Sequence, residues 1–240
     1  MKRILTAVIA VTLLISISSC GWRSVRGNGN VTTSTRNEAS FDGVSTAGSF
    51  DLYITQGEKF EIKIEAEENL MKYILTEVEG GVLKVRVKKG ISLRPKLDMK
   101  VYVTAPNFKL LSIAGSGNII AETKITTTNT IDFSVAGSGN IKVPDVDAPS
   151  IKMRIAGSGN VNAGGQTKDV EYKIAGSGDI FCEGLKAENA KIKIAGSGDI
   201  KLYCSQNLDV NIAGGGDVHY FGNPVNVKQK VAGSGNLVKE

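Results

Sequence analysis

From Pro106 onward, apolar and polar residues alternate on both sides of a recurring glycine turn. AGSGN, or a close variant, begins at Ala114, Ala136, Ala156, Ala175, Ala195, Ala213 and Ala232, at spacings of 22, 20, 19, 20, 18 and 19 residues. One residue before each alanine stand Ile113, Val135, Ile155, Ile174, Ile194, Ile212 and Val231, all β-branched. Three before it stand Leu111, Phe133, Met153, Tyr172, Ile192 and Val210, with Gln229 in the last copy. Five after it stand Ile119, Ile141, Val161, Ile180, Ile200, Val218 and Leu237. Period-2 alternation on either side of a turn predicts two strands per repeat, each with one buried face. A unit of about 20 residues cannot bury that face alone, so the units must stack. The chain is therefore predicted to be all-β, with a parallel β-helix of about seven rungs over residues 107–240.

The outward columns support that stacking. Four residues before each alanine the chain reads Leu110, Asp132, Lys152, Glu171, Lys191, Asp209 and Lys228, alternating in sign from Asp132 onward. Rungs about 4.8 Å apart bring these charges together. An exposed pair is worth only about 0.2–1 kcal/mol, so the alternation serves register rather than stability. Gly115, Gly117 and their equivalents permit positive φ at a tight corner. Asn118, Asn140, Asn160 and Asn236 can bond the turn backbone and stack as a ladder, with Asp179, Asp199 and Asp217 in the same column on consecutive rungs. Gln229, a polar residue in an apolar column, suits a terminal capping repeat.

Residues 41–106 form a β-rich head placed to cover the first rung. Phe50–Ile54, Phe60–Ile64, Val82–Val87 and Leu97–Val103 alternate as strands, and Glu67–Val78 has the apolar spacing of a short helix. Residues 1–19 read as a secretory leader: Lys2 and Arg3, an apolar run from Ile4 to Ile17, then small residues ending at Cys20. Ile17-Ser18-Ser19-Cys20 resembles the lipobox of bacterial lipoproteins, which implies acylation of Cys20 and attachment to membrane lipid. Residues 20–40, rich in Gly, Ser, Thr and Asn, read as a flexible tether.

These features together resemble the head GIN domain family of putative auto-transporter adhesins, common in lipoproteins of the Bacteroidetes. The likeness rests on Phe41-Asp42-Gly43-Val44, on Phe50 to Gly57, on the acidic stretch Glu65–Asn69 and on the iterated GSGN/GSGD turns. It implies a right-handed β-helical character, a place in the cell envelope at the outer membrane, and an adhesive role without an assigned enzymatic activity. Surface lipoproteins of that phylum tend to carry acidic residues after the lipidated cysteine. Arg23 and Arg26 follow here, so both the surface and the periplasmic face stay open.

Composition narrows the chemistry. The 240 residues include 28 glycines, five prolines, three cysteines and one histidine. A single histidine leaves little room for His-based catalysis or a His-rich metal site. Without Lys2 and Arg3 the chain holds 27 basic and 24 acidic side chains and no basic cluster interleaved with aromatics, so nucleic acid is not a predicted partner. Three candidate sites remain. Arg154, Lys173 and Lys193, two residues before their alanines on consecutive rungs, form a basic column suited to an acidic glycan or lipid headgroup. Asp179, Asp199 and Asp217 offer a weaker alternative, a Ca2+ site, against solvated turn aspartates that accept N–H bonds. Asp132, Glu171 and Asp209 lie on alternate rungs beside lysines, better explained as a charge ladder than as the paired carboxylates of a polysaccharide-cleaving enzyme. No cofactor is implied. Cys182 falls in an inward column and Cys204 in the variable connection, with pairing between them left open.

The resulting reading is a lipid-anchored, non-enzymatic envelope protein that binds glycan or an envelope or host component along an extended face. A periplasm-facing structural lipoprotein is the alternative, and a polysaccharide-active β-helix the third.

Overall fold

The computed structural model describes residues 23–240, so Cys20 and the leader lie outside the described residues. The N-terminal part contains β1 (Arg23–Arg26), β2 (Val31–Arg36), β3 (Gly43–Gly48), β4 (Asp51–Gln56), β5 (Glu61–Glu67), a one-turn helix α1 (Glu68–Met71), β6 (Ile74–Glu79), β7 (Val82–Val87), β8 (Ile91–Arg94) and β9 (Lys100–Ala105). The repeat region contains β10 (Leu110–Gly115), β11 (Asn118–Ala121), β12 (Ile125–Thr126), β13 (Thr130–Gly137), β14 (Asn140–Gly157), β15 (Asn160–Gly176), β16 (Ile180–Gly196), β17 (Ile200–Gly214), β18 (Val218–Phe221), β19 (Asn226–Gly233) and β20 (Leu237–Lys239).

The repeats stack in parallel and in register. Ala114 pairs with Ala136, Ala136 with Ala156, and so on through Ala175, Ala195 and Ala213 to Ala232. The stack is a β-solenoid of about six turns. Its axis is filled by the predicted columns: Ile113, Phe133, Ile155, Tyr172, Ile194 and Val210 are all at most 2 % exposed. Each buried aliphatic side chain contributes about 2 kcal/mol, which is what holds coils that have few contacts beyond their neighbours.

The inner turns carry a third strand segment beyond the two that were predicted. Val146–Asp147 pairs with Ile125–Thr126 on one side and with Gly165–Gln166 on the other, and Gly165–Thr167 pairs with Leu185–Ala187. Irregular register beside this segment absorbs the variable repeat length. Its inward residues Ile125, Val146, Leu185 and Cys204 are fully buried. Cys204, read from the sequence as part of the variable connection, therefore belongs to the core; it pairs in register with Ala187, while Cys182 pairs with Leu202 on a different segment, and both thiols are free.

The two corner glycines have different jobs. Gly176, with φ of +132°, adopts a conformation costly for other residues. Gly178 does not have positive φ, but a Cβ there would lie 2.1 Å from the Gly159 carbonyl oxygen. The first glycine permits the bend, and the second lets successive backbones touch.

The N-terminal part departs from the sequence-based picture in three ways. First, the solenoid begins earlier than its glycine signature. Ala47-Gly48-Ser49-Phe50-Asp51 is a further corner: β3 and β4 pair in parallel with β10 and β11, Ala47 opposite Ala114 and Asp51 opposite Asn118. Phe50 takes the place of the second glycine and is fully buried, filling space at a corner under which no further glycine corner stacks. Second, Glu67–Val78 is not a helix along its length. It makes one turn and then β6, which pairs antiparallel with β7. Third, the stretch expected as a tether carries β1 and β2; β1 pairs with β8 as a two-stranded ribbon, and β2 pairs with β5. The layer formed by β7 and β9 stacks on the far side of β3 and β4, and antiparallel β5 and β6 close that end. At the other end Val227 and Val231, inward in register, are 44 % and 39 % exposed, so Gln229 does not complete a cap.

Candidate binding face on the solenoid

Arg154, Lys173 and Lys193 come together as the sequence suggested, on strands paired in register. They rise beside a stripe of exposed alanines, Ala136, Ala156, Ala175 and Ala195, that forms an apolar floor. Floor and cations line a shallow groove of about 530 Å³ that runs across the coils from Ser134 to Asn211. The groove follows from local chemistry: Cβ alternation turns Ile155 and Ile174 inward, so the next residue, alanine, must face out. Its lining contains no Asp or Glu.

Two of the cations have carboxylate partners at the groove's edge. Arg154 Nη1 donates to Asp132 Oδ1 at 2.9 Å, and Lys173 Nζ lies 2.8 Å from Glu171 Oε1. The hydrogen-bonded Lys173 ammonium holds the Glu171 carboxyl below the usual carboxylate range, against a smaller upward push from burial. The alternating column Asp132, Lys152, Glu171, Lys191, Asp209 and Lys228 is in register as predicted. Its closest ion pairs nevertheless run to Arg154 and Lys173. Lys193 has no carboxylate within 4.0 Å among the described residues.

The aspartate column is a hydrogen-bonded ladder. Asp179 Oδ1 accepts the Asp199 N–H at 2.8 Å, Asp199 Oδ1 accepts the Asp217 N–H at 2.7 Å, and Asp217 Oδ1 accepts the Asn236 N–H at 2.8 Å. Asn140 and Asn160 do the same for the next rung. Each carboxylate thus has a donor without any cation. Among the described residues no group of three or more His, Cys, Asp or Glu is placed to hold a metal ion.

Other features escaped the sequence reading. A second ladder runs through Asp169, Asn189, Asn207 and Asn226, with side-chain bonds of 2.8, 2.6 and 2.9 Å. Its signal is the polar column six residues before each alanine from Ala136 onward. Lys186 lies 3.9 Å over the Tyr203 ring beside a groove of about 590 Å³ on another side of the coil. In the head, Glu67 is only 1 % exposed and its carboxylate accepts N–H bonds from Gly29 and, at 2.8 Å, from Lys96. Burial pushes its pKa up, but the N–H bonds from Lys96, Gly29 and Leu97 outweigh this and hold it below the usual range. Asn69 adds bonds to the Arg26 carbonyl at 2.8 Å and from the Asn28 N–H at 3.0 Å. Glu67 and Asn69 lie within the acidic stretch that carried the family likeness.

A solenoid of stacked coils with an open groove across them presents an extended surface built from successive repeats. The chain belongs to the family described as "putative auto-transporter adhesin, head GIN domain", whose model matches residues 40–224. A putative adhesin of Bacteroides fragilis shares the fold with a TM-score of 0.85 at 21 % identity, over 90 % of this chain and 100 % of that one. A putative lipid binding protein of Parabacteroides distasonis is 31 % identical with a TM-score of 0.76, over 91 % of this chain and 100 % of that one. A putative adhesin of Parabacteroides merdae gives 0.71 at 24 %, over 91 % and 99 %. No curated protein matches the chain. The adhesin-like family points to the cell envelope, and no helix among the described residues is long and apolar enough to cross a membrane.

Proposed function

We propose that this protein is a lipid-anchored, non-enzymatic envelope protein that binds an extended acidic ligand, a glycan or another envelope or host component, along the alanine groove. The observation that carries the reading is the pairing of an apolar floor with Arg154, Lys173 and Lys193 on consecutive rungs. Such a surface offers hydrophobic contact to one face of a ligand and charge to its anionic groups at every coil. The absence of carboxylates from the groove lining disfavours glycosidic cleavage there, which needs two of them flanking the scissile bond. The neighbour described as lipid-binding is consistent with a ligand that has an apolar part.

The test is binding of the protein to polyuronate, to a neutral polysaccharide of similar length and to extracellular-matrix proteins, alongside the R154Q/K173Q/K193Q variant. Tighter binding to an acidic ligand, lost in the variant at unchanged melting temperature, supports the proposal. Equal binding by both proteins overturns it. Protease shaving of intact cells then separates the two locations: loss of the protein supports a surface adhesin, and protection supports a periplasm-facing role.

A further inference from the structure

The β1–β8 ribbon concentrates positive charge where the chain leaves its acylation site. In β1, Val25 packs against the core, as does its register partner Leu93 in β8. Strand alternation then turns Ser24 and Arg26, with Ser92 and Arg94, to the opposite, outward face. Arg26 and Arg94 are directly paired in register, an arrangement of like charges on adjacent strands that is unfavourable by itself. Arg23, Lys88 and Lys89 flank them at the ribbon's start and in the turn before Gly90, and all five cations are exposed. No ion pair within 4.0 Å among the described residues involves any of the five. Residues 1–22 contain no Asp or Glu, so the segment before β1 supplies no counter-charge either.

Covalent geometry limits where this face can be. Two residues, Gly21 and Trp22, separate Cys20 from Arg23, and extended chain spans at most about 3.6 Å per residue, so an acyl group on Cys20 keeps the start of the ribbon within about 11 Å of the anchoring residue. Glu67 and Asn69 bond β1 and the segment that follows it to the head. We propose that the outward face of the β1–β8 ribbon is a docking surface for the anionic headgroups of the membrane that carries the protein. The proposal rests on Cys20 acylation for its location. Arg26 and Arg94 supply the attraction, Ser24 and Ser92 supply hydroxyl donors, and anionic lipid relieves the repulsion between the two guanidinium groups. Contact there sets the closed end of the solenoid against the bilayer and leaves the groove clear of it.

The test uses the full chain carrying Cys20→Ser, which has no acyl group, and vesicles of phosphatidylcholine with and without phosphatidylglycerol. The readout is the change between parent and variant in the ratio of partition into anionic and neutral vesicles, because the leader with Lys2 and Arg3 adds the same amount to each protein's ratio. A basic residue at such a surface contributes about fivefold, so R26Q/R94Q lowers the ratio about 25-fold, and high salt erases it. K88Q/K89Q gives the same direction and covers the case in which the ribbon variant misfolds. Equal partition into both vesicle types, a ratio unchanged in both double variants, or loss of the ratio in R154Q/K173Q/K193Q instead would each overturn the proposal. Acylation fails separately, through fatty-acid labelling of Cys20 in cells.

Discussion

The carboxylate of Glu67 sits within hydrogen-bonding reach of the Gly29 amide, 38 residues away, and an added Cβ at neighbouring Gly27 would lie 2.0 Å from its Oε2. One buried acid therefore binds the segment between β1 and β2 to the head.

Glu67→Gln should lower the melting temperature, because its amide group presents an N–H to backbone donors that the carboxylate accepted. The linkage sign follows from the depressed pKa. The carboxylate's contribution is complete above the ordinary Glu value of about 4.3 and is lost as pH falls through the lower folded value. Melting curves of both proteins should differ at neutral pH and converge in acid. A difference that persists with the acid fully protonated would show that shape, and not charge, is what Glu67 contributes.

The corner glycines differ in their tolerance. At Gly196, φ is +138° and a Cβ would meet the Gly176 carbonyl oxygen at 2.0 Å. Gly196→Ala should cost about 3 kcal/mol through backbone strain and overpacking. Gly184 lacks positive φ and its Cβ would meet only Gly164 Cα at 3.7 Å, so Gly184→Ala should stay within about 1 kcal/mol of the parent. Chemical denaturation of the pair measures both. Equal losses would show that coil spacing is looser than the close backbone approach implies.

The aspartate ladder, whose carboxylates already accept backbone N–H bonds, should hold its corners without calcium. Asp199→Asn keeps the oxygen that accepts the Asp217 N–H and should be neutral, whereas Asp199→Ala should lose about 1 kcal/mol. Chelator should leave the melting temperature unchanged in all three proteins. A drop on chelation that Asp199→Asn abolishes would restore the metal reading.

Burial pushes the Cys182 thiol up to about 12 and also raises Cys204. Both lack thiolate at neutral pH and lie in the core, so alkylating reagents should label neither until the protein is unfolded. One rapidly labelled thiol in the native protein would identify a free Cys20; two or more would mean that the coil opens.

Cys20→Ser should abolish incorporation of labelled fatty acid into the protein. Retained label would sink the lipobox reading.

The repeat region was legible because a period of about 20 residues lines up many copies, and a residue's inward or outward face follows from alternation alone. The same logic placed Arg154, Lys173 and Lys193 on one face before their surroundings were visible. What it missed lay where local pattern and tertiary environment part company. Ala47–Asp51 escaped because Phe50 replaces a glycine that only a stacked neighbour requires. Glu67–Val78 has helical spacing, yet its second half becomes β6 because β7 offers a strand to pair with. β1 and β2 carry little apolar signal, since β2 alternates between exposed and half-buried positions and β1 is held by the ribbon and by Asn69.

The sequence by itself determined the coil: which residues point inward, where the chain bends, and which rung follows which. Only the tertiary structure decided that the layer of β7 and β9 stacks beneath an earlier rung, that Glu67 reaches back to Gly29, and that the alanine stripe and basic column enclose one groove. The physical reason is range. Side-chain alternation and turn chemistry act over a few residues, whereas pairing between distant strands is selected by the collective burial of surfaces that meet only when the whole chain has folded.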